Sequence, residues 1–202
     1  MTVTIAMGLA PQHRDAAICL YWEVFGGKLG LVMGPDARAL RFLDRVVRAD
    51  HVITASAPQG ELLGILGFKS PLGGFAAGDS TDLRAVYGRF GGFWRGALLG
   101  LLSRDVDNER FLLDGICVTR SVRSQGIGTA LVAAACIEAS ARGYHAVRLD
   151  VIDTNWRAKA LYKALGFEVT HTERLGWLRF VFGFAAATTM VKQLGPGARP
   201  QG

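Results

Sequence analysis

Cysteine is scarce in this chain of 202 residues: Cys19, Cys117 and Cys136 are the three present. They are far apart, odd in number and set in apolar runs, without a Cys-x-x-Cys pair. That pattern excludes a disulfide framework and a dithiol redox motif, and predicts reduced, buried thiols. The four histidines, His13, His51, His145 and His171, stand singly, so no metal-ligand spacing arises and no metal is expected. The net charge is +6 and the pI about 9.6, yet the cations are scattered. No basic arm, helix-turn-helix or zinc-finger spacing appears, so nucleic acid is not an expected partner. The most apolar surface candidate, residues 93–102, is interrupted by Arg95 and falls short of the ~20 residues a membrane helix needs, so a membrane partner is not expected either. The first seven residues lack the charged and apolar regions of a signal peptide, and the expected location is cytoplasmic. No repeat or linker divides the chain. The expectation is one domain over residues 1–194, with a disordered tail at 195–202.

Half of the residues are hydrophobic, enough for a substantial core. Periodicity and Gly/Pro punctuation predict strands near 3–7, 51–57, 62–69, 111–118, 145–152, 167–174 and 187–192. Helices are predicted from Pro11 to Phe25, ended by Gly26-Gly27, and over 36–48, 82–103, 126–142 and 155–165. The segment 176–184 has no clear pattern. A hairpin sits in the first half and another strand pairing closes the chain, so the order is not that of a doubly wound α/β fold.

Residues 123–128, Arg-Ser-Gln-Gly-Ile-Gly, follow a strand and open a helix. The first N–H groups of such a helix lack intrahelical partners and carry the positive end of its dipole. An anion, usually a phosphate, binds there readily, and Gly126 and Gly128 leave room for it to approach the main chain. By itself the pattern fits a plain tight turn equally well. Downstream, residues 155–167 place Asn155, Lys159 and Tyr162 at i, i+4 and i+7 on one helix face. Asn155 also fits an ordinary helix N-cap, and Lys159 a solvated surface.

The two motifs stand in this order with one strand between them, and the second helix exits through Leu165-Gly166-Phe167 into a strand. Together they resemble the GNAT superfamily of acyl-CoA-dependent N-acetyltransferases. Val118, Arg123, Gly126 and Gly128 match its first motif. Asn155, Ala158, Leu161, Tyr162, Gly166 and Phe167 match its second. The close match covers residues 111–167; the first half agrees in its order of elements.

The resemblance implies an α+β fold: a single GNAT-like domain with a central, mostly antiparallel mixed sheet, a splayed parallel strand pair and flanking helices. It implies acetyl-CoA as co-substrate, with the pyrophosphate on main-chain donors of Ser124, Gln125, Gly126, Ile127, Gly128 and Thr129. Arg123 adds charge there, and Arg120 either does so or is solvated. Asn155 and Lys159 lie on the cofactor side. The pantetheine arm pairs with the exposed strand edge at Ile116, Cys117 and Val118, as a strand adds to a sheet. Tyr162 is then the acid that protonates the leaving thiolate, or a packing partner of the pantetheine. Asp114, a charge inside an apolar strand, is the candidate base, a structural ion pair being the alternative. Strict alternation puts Asp114 on one face with Ile116 and Val118, and Cys117 on the other. Tyr21 and Glu23 are candidates for an acceptor pocket. The implied activity is transfer of an acetyl group to a small-molecule or peptide amine. A non-catalytic acyl-CoA-binding regulatory module and a lysine or N-terminal protein acetyltransferase are the alternatives. The Gly-rich segment 73–102 is expected to shape the acceptor site or to form a homodimer contact.

Overall fold

The computed structural model describes residues 2–102, 109–176 and 179–195. The expected tail at 195–202 lies, beyond Gly195, outside the described residues. Strands β1 (Thr4–Met7), β2 (Val52–Ser56) and β3 (Leu62–Ser70) form an antiparallel meander. Ala57 to Gly60 makes the turn of the β2–β3 hairpin, closed by the Gly60 N–H to the Ala57 carbonyl at 2.9 Å. The two-residue strand β4 (Gly73–Gly74) pairs with the end of β3. Next come β5 (Phe111–Val118), β6 (Ala146–Ile152), β7 (Glu168–Arg174) and β8 (Ala186–Gln193). The sheet runs β1-β2-β3-β5-β6-β8-β7, with β5–β6 parallel and the other neighbouring strands among the described residues antiparallel.

The helices are α1 (Arg14–Met33), α2 (Asp36–Val46), α3 (Ser80–Leu102), α4 (Ile127–Ala141), α5 (Trp156–Ala164) and the short α6 (Arg179–Phe182). Helix α4 covers one face of the sheet. Its Leu131, Val132, Ala135 and Ala139 are buried against Ile53, Leu66, Phe111 and Val147. Burial of a side chain such as Leu131 contributes about 2 kcal/mol. Helix α1 covers the other face, where Ala17 and Ile18 meet Val52, Ile65 and Cys117. Helix α2 extends that layer, and α3 lies outside it, packing Leu83 and Tyr87 on Phe42 and Met33.

Three expectations are corrected. Of the three thiols expected to be buried, Cys117 is buried, Cys136 is half-buried and Cys19 is exposed. Gly26-Gly27 does not end α1, which continues to Met33 with Gly34 at its C-cap. A glycine costs a helix only about 1 kcal/mol. Burial of Val32 and Met33 and capping by α3 outweigh it. The stretch Pro11–Met33, rather than residues 93–102, is the one helical stretch among the described residues long and apolar enough to cross a membrane by length and composition. Here it forms one layer of the core. The ambiguous segment 176–184 contains α6, whose Phe182 is buried with Val32 and Phe184.

Candidate active site

Strands β5 and β6 pair only from Phe111↔Val147 to Leu113↔Leu149. Beyond that, Asp150 to Ile152 of β6 pair with β8 alone, while Gly115 to Val118 of β5 pair with β3 alone. The two parallel strands therefore splay, and the edge of β5 turned away from β3 has no strand partner from Gly115 onward among the described residues. Apart from the Val118 carbonyl, which accepts from Arg123, its N–H and C=O groups are open to an extended ligand.

The splay coincides with a β-bulge. Gly67 stands opposite Gly115 and Phe68 opposite Leu113, which leaves Asp114 as the extra residue of β5. The bulge breaks the alternation on which the sequence reading relied. Ile116 and Val118 pack with the α4-side core, whereas Cys117 belongs to the α1-side core. Asp114 lines a cavity under α1, α2 and α3, so it lies on the α1 side with Cys117 and opposite Ile116 and Val118. A Cβ on Gly115 would meet the Phe25 ring at 2.6 Å, so a side chain there would require that ring to move. Asp114 Oδ1 is ion-paired with Lys69 Nζ at 3.1 Å.

The unpaired edge leads within a few residues to the turn before α4. Ser124 (φ 61°) and Gly126 (φ 84°) both adopt left-handed backbone there. For Ser124 this costs about 1 kcal/mol, the kind of local strain that functional turns retain. The first bond of the α4 ladder runs from the Ala130 N–H to the Gly126 carbonyl at 2.9 Å. The N–H groups of Ile127, Gly128 and Thr129 precede it and project from the helix start. A Cβ on Gly126 would meet nothing within 4 Å, so the main chain is open on this side. The open donors, the helix dipole and the adjacent free strand edge suit a phosphate-bearing, extended ligand. Arg123 Nε–H donates to the Val118 carbonyl at 2.9 Å, which holds its guanidinium beside the turn. The side chain of Gln125 donates to the Ser121 carbonyl.

Tyr162 of α5 is buried in the α4-side core with its ring 5.9 Å from Phe167. Desolvation, and secondarily the Cys117 thiol, raises its phenol to about 12. It therefore remains a protonated donor at neutral pH. Burial likewise pushes the Cys117 thiol up to about 12, which makes it unreactive as a nucleophile. Tyr21 of α1 lines the same cavity as Asp114, and burial, then Asp114 and Cys117, raises its phenol well above its usual value.

The remaining sequence candidates have local partners. Asn155 is the N-cap of α5, accepting from the Ala158 N–H at 3.3 Å. Lys159 Nζ donates to Thr188 Oγ1 at 3.2 Å. Glu23 is paired with Arg120 at 2.6 Å, and it does not line the cavity. The sequence reading missed Lys69 and the apolar wall given by Trp22, Phe42, Leu83 and Leu99. Lys69 carried a weak signal: a lysine in a β-strand otherwise almost wholly buried.

Residues 60–167, just over half of the chain, match the acetyltransferase (GNAT) family. The chain is also similar to the thialysine N-ε-acetyltransferase of Mus musculus, with 41% identity over 70 residues, covering 35% of this chain and 41% of that protein. The aligned stretch thus spans about two-fifths of the relative's length. Among solved structures, the chain resembles an acetyltransferase with TM-score 0.61 and 19% identity, covering 95% of this chain and 100% of that one. It also resembles the ribosomal-protein-S18-alanine N-acetyltransferase from Escherichia coli, with TM-score 0.58 and 15% identity over 100% of this chain and 99% of that one. The splayed strand pair, the phosphate-suited turn and these matches define a fold of the acetyltransferase (GNAT) class. The chain belongs to the GNAT family.

Proposed function

We propose that the protein moves the acetyl group of acetyl-CoA to a primary amine by direct attack on the thioester. The observation that carries this reading is the continuity of the free β5 edge with the open N-terminus of α4. One ligand can lie along both, its pantetheine arm on Gly115 to Val118 and its pyrophosphate on Gly126 to Thr129. The thioester then lies at the splay, with Asp114 on the α1 side and Tyr162 on the α4 side.

The amine nitrogen attacks the carbonyl carbon, the C–S bond breaks, and one proton passes from nitrogen to sulfur. Asp114 takes up the nitrogen's proton, directly or through water. Tyr162 faces a steeper task. A phenol raised to about 12 gives its proton uphill to a thiolate of reference pKa ~8.5. Its principal contribution is a hydrogen bond to the sulfur as charge develops there, and the proton from nitrogen completes the thiol. The inert Cys117 argues against an acyl-cysteine intermediate.

Thermal unfolding with and without acetyl-CoA tests the donor site. At ~100 times its Kd the ligand should stabilise the fold by about 2.7 kcal/mol, and no shift would remove the basis of the reading. Thiol release in the presence of amines then tests turnover and distinguishes it from a regulatory module. Tyr162→Phe should lower kcat ~10- to 100-fold with the acetyl-CoA shift retained. An unchanged kcat between pH 6 and 9 would exclude the donor role.

A further inference from the structure

Strands β3 and β5 are antiparallel neighbours, and a tight turn suffices to join such a pair. Here the connection instead carries β4 and the 23-residue helix α3, which folds back over α1 and α2. Between α3 and the sheet it encloses a cavity of about 710 Å³. That volume is in the range of sites for small organic ligands. Trp22, Leu29, Met33, Phe42, Leu83 and Leu99 make an apolar wall, and one end reaches Asp114 at the splay.

The charges in the lining decide what kind of amine belongs there. Its carboxylates are Asp79 and Asp114, and its cations Lys69 and Arg84. Asp79 is engaged at the start of α3, accepting from the Thr81 and Asp82 N–H groups at 2.7 and 3.0 Å. These backbone bonds, Asp82 first, hold its carboxyl below the usual carboxylate value. Asp114 is matched by Lys69. The cavity therefore has no surplus negative charge to hold a polycation, and the chain's net +6 opposes one further.

Resting on the proposed acetyl transfer, we propose that the acceptor is a monoamine with a bulky apolar body, aryl or branched aliphatic. The body fills the space under α3 and the amino group lies beside Asp114. Polyamines and lysyl side chains of peptides are poor acceptors.

The test measures binding and transfer separately. Binding of 2-phenylethylamine, 2-ethylhexylamine, spermidine and a lysine-containing peptide to the protein is followed by calorimetry, and acetyl transfer to each by thiol release. Both apolar amines should bind at least 10-fold more tightly than spermidine or the peptide, and be turned over with at least 10-fold higher kcat/KM. Ala97→Trp, on the exposed side of α3 at the cavity mouth, should raise KM for 2-phenylethylamine at least 10-fold while the thermal shift with acetyl-CoA is retained. Equal binding of all four amines, preference for spermidine or the peptide, or an unchanged KM in a folded Ala97→Trp protein would overturn the acceptor class and leave acetyl transfer standing. Selective binding of the apolar amines without transfer would support the occupant and overturn the proposed reaction.

Discussion

At the scale of single residues, geometry alone does not decide chemistry. His51 illustrates the point. Its Nε2 lies 2.9 Å from Ser70 Oγ and its Nδ1 2.9 Å from Asp50 Oδ1, the order of a serine, a base and an orienting carboxylate. Yet Ser70 is 5% and His51 2% exposed, and the Leu72 N–H donates to the same Ser70 oxygen. A nucleophile must meet its substrate, so this chain of bonds is structural and ties the start of β2 to the end of β3. Its exposed end has a pH signature. A hydrogen bond from Arg48, and next one with His51, hold the Asp50 carboxyl well below the usual carboxylate range. A depressed value in the folded state stabilises above the unfolded pKa of about 4, and that stabilisation is lost as pH falls toward the folded value. Asp50 is largely exposed, which screens the effect to about 0.5 kcal/mol. Asp50→Asn should therefore be slightly less stable than the parent at pH 7, and urea denaturation below pH 4 should show the difference closing. A difference that persists or grows in acid would contradict this account.

At the scale of elements, the central feature is how α3 is fixed over the cavity proposed to take the acceptor. Arg95 donates from Nε to the Val32 carbonyl at 2.7 Å and from Nη2 to the Gly34 carbonyl at 3.5 Å. Tyr87 Oη–H donates to the Met33 carbonyl at 2.6 Å. The carbonyls at the end of α1, which have no partners within their own helix, thus take donors from α3. The Arg95 guanidinium also lies 4.3 Å from the centroids of both the Tyr87 and Trp94 rings. Gly88, with φ 76°, breaks α3 so that its first part carries Tyr87 onto α1 and its second carries Arg95 there. Arg95→Ala should cost ~2 kcal/mol through the orphaned carbonyls. It should also raise KM for the amine several-fold more than KM for acetyl-CoA, because α3 roofs only the acceptor side. Equal changes in both KM values would place α3's influence on the whole domain.

The same element scale explains how much was legible in the sequence. The span of β5, the turn at residues 123–128 and the helix opened by Asn155 could all be read, since local period, glycines and a cap specify them. The bulge at Asp114 could not. Phe111 to Val118 reads as an uninterrupted strand, and only its pairing with β3 reveals the extra residue. The length of α1 was hidden for a related reason: Gly26-Gly27 is a valid stop locally, and the side chains that override it are on α3, more than fifty residues away. The cavity under α3 was invisible because α1, α2, α3, β3 and β5 each contribute a part, and no one segment carries its pattern.

At the scale of the whole molecule, charge separates the two proposed substrates. The net charge of +6 attracts a polyanionic acyl-CoA and repels a monocationic amine. Arg120 and Arg123 lie in the stretch between β5 and α4, near the turn assigned to the pyrophosphate, although Arg120 is partly neutralised by Glu23. Salt shortens the reach of these fields, from about 30 Å at 0.01 M to about 10 Å at 0.1 M ionic strength. Raising the ionic strength from 0.01 to 0.3 M should therefore weaken acetyl-CoA binding several-fold, measured as Kd by calorimetry. The KM of an apolar monoamine should stay level or fall over the same range, since screening removes a repulsion and leaves apolar burial in place. A polyamine acceptor held by carboxylates would move the other way, its KM rising with salt. The sign of the acceptor's salt dependence thus distinguishes a cavity that recognises apolar surface from one that recognises charge.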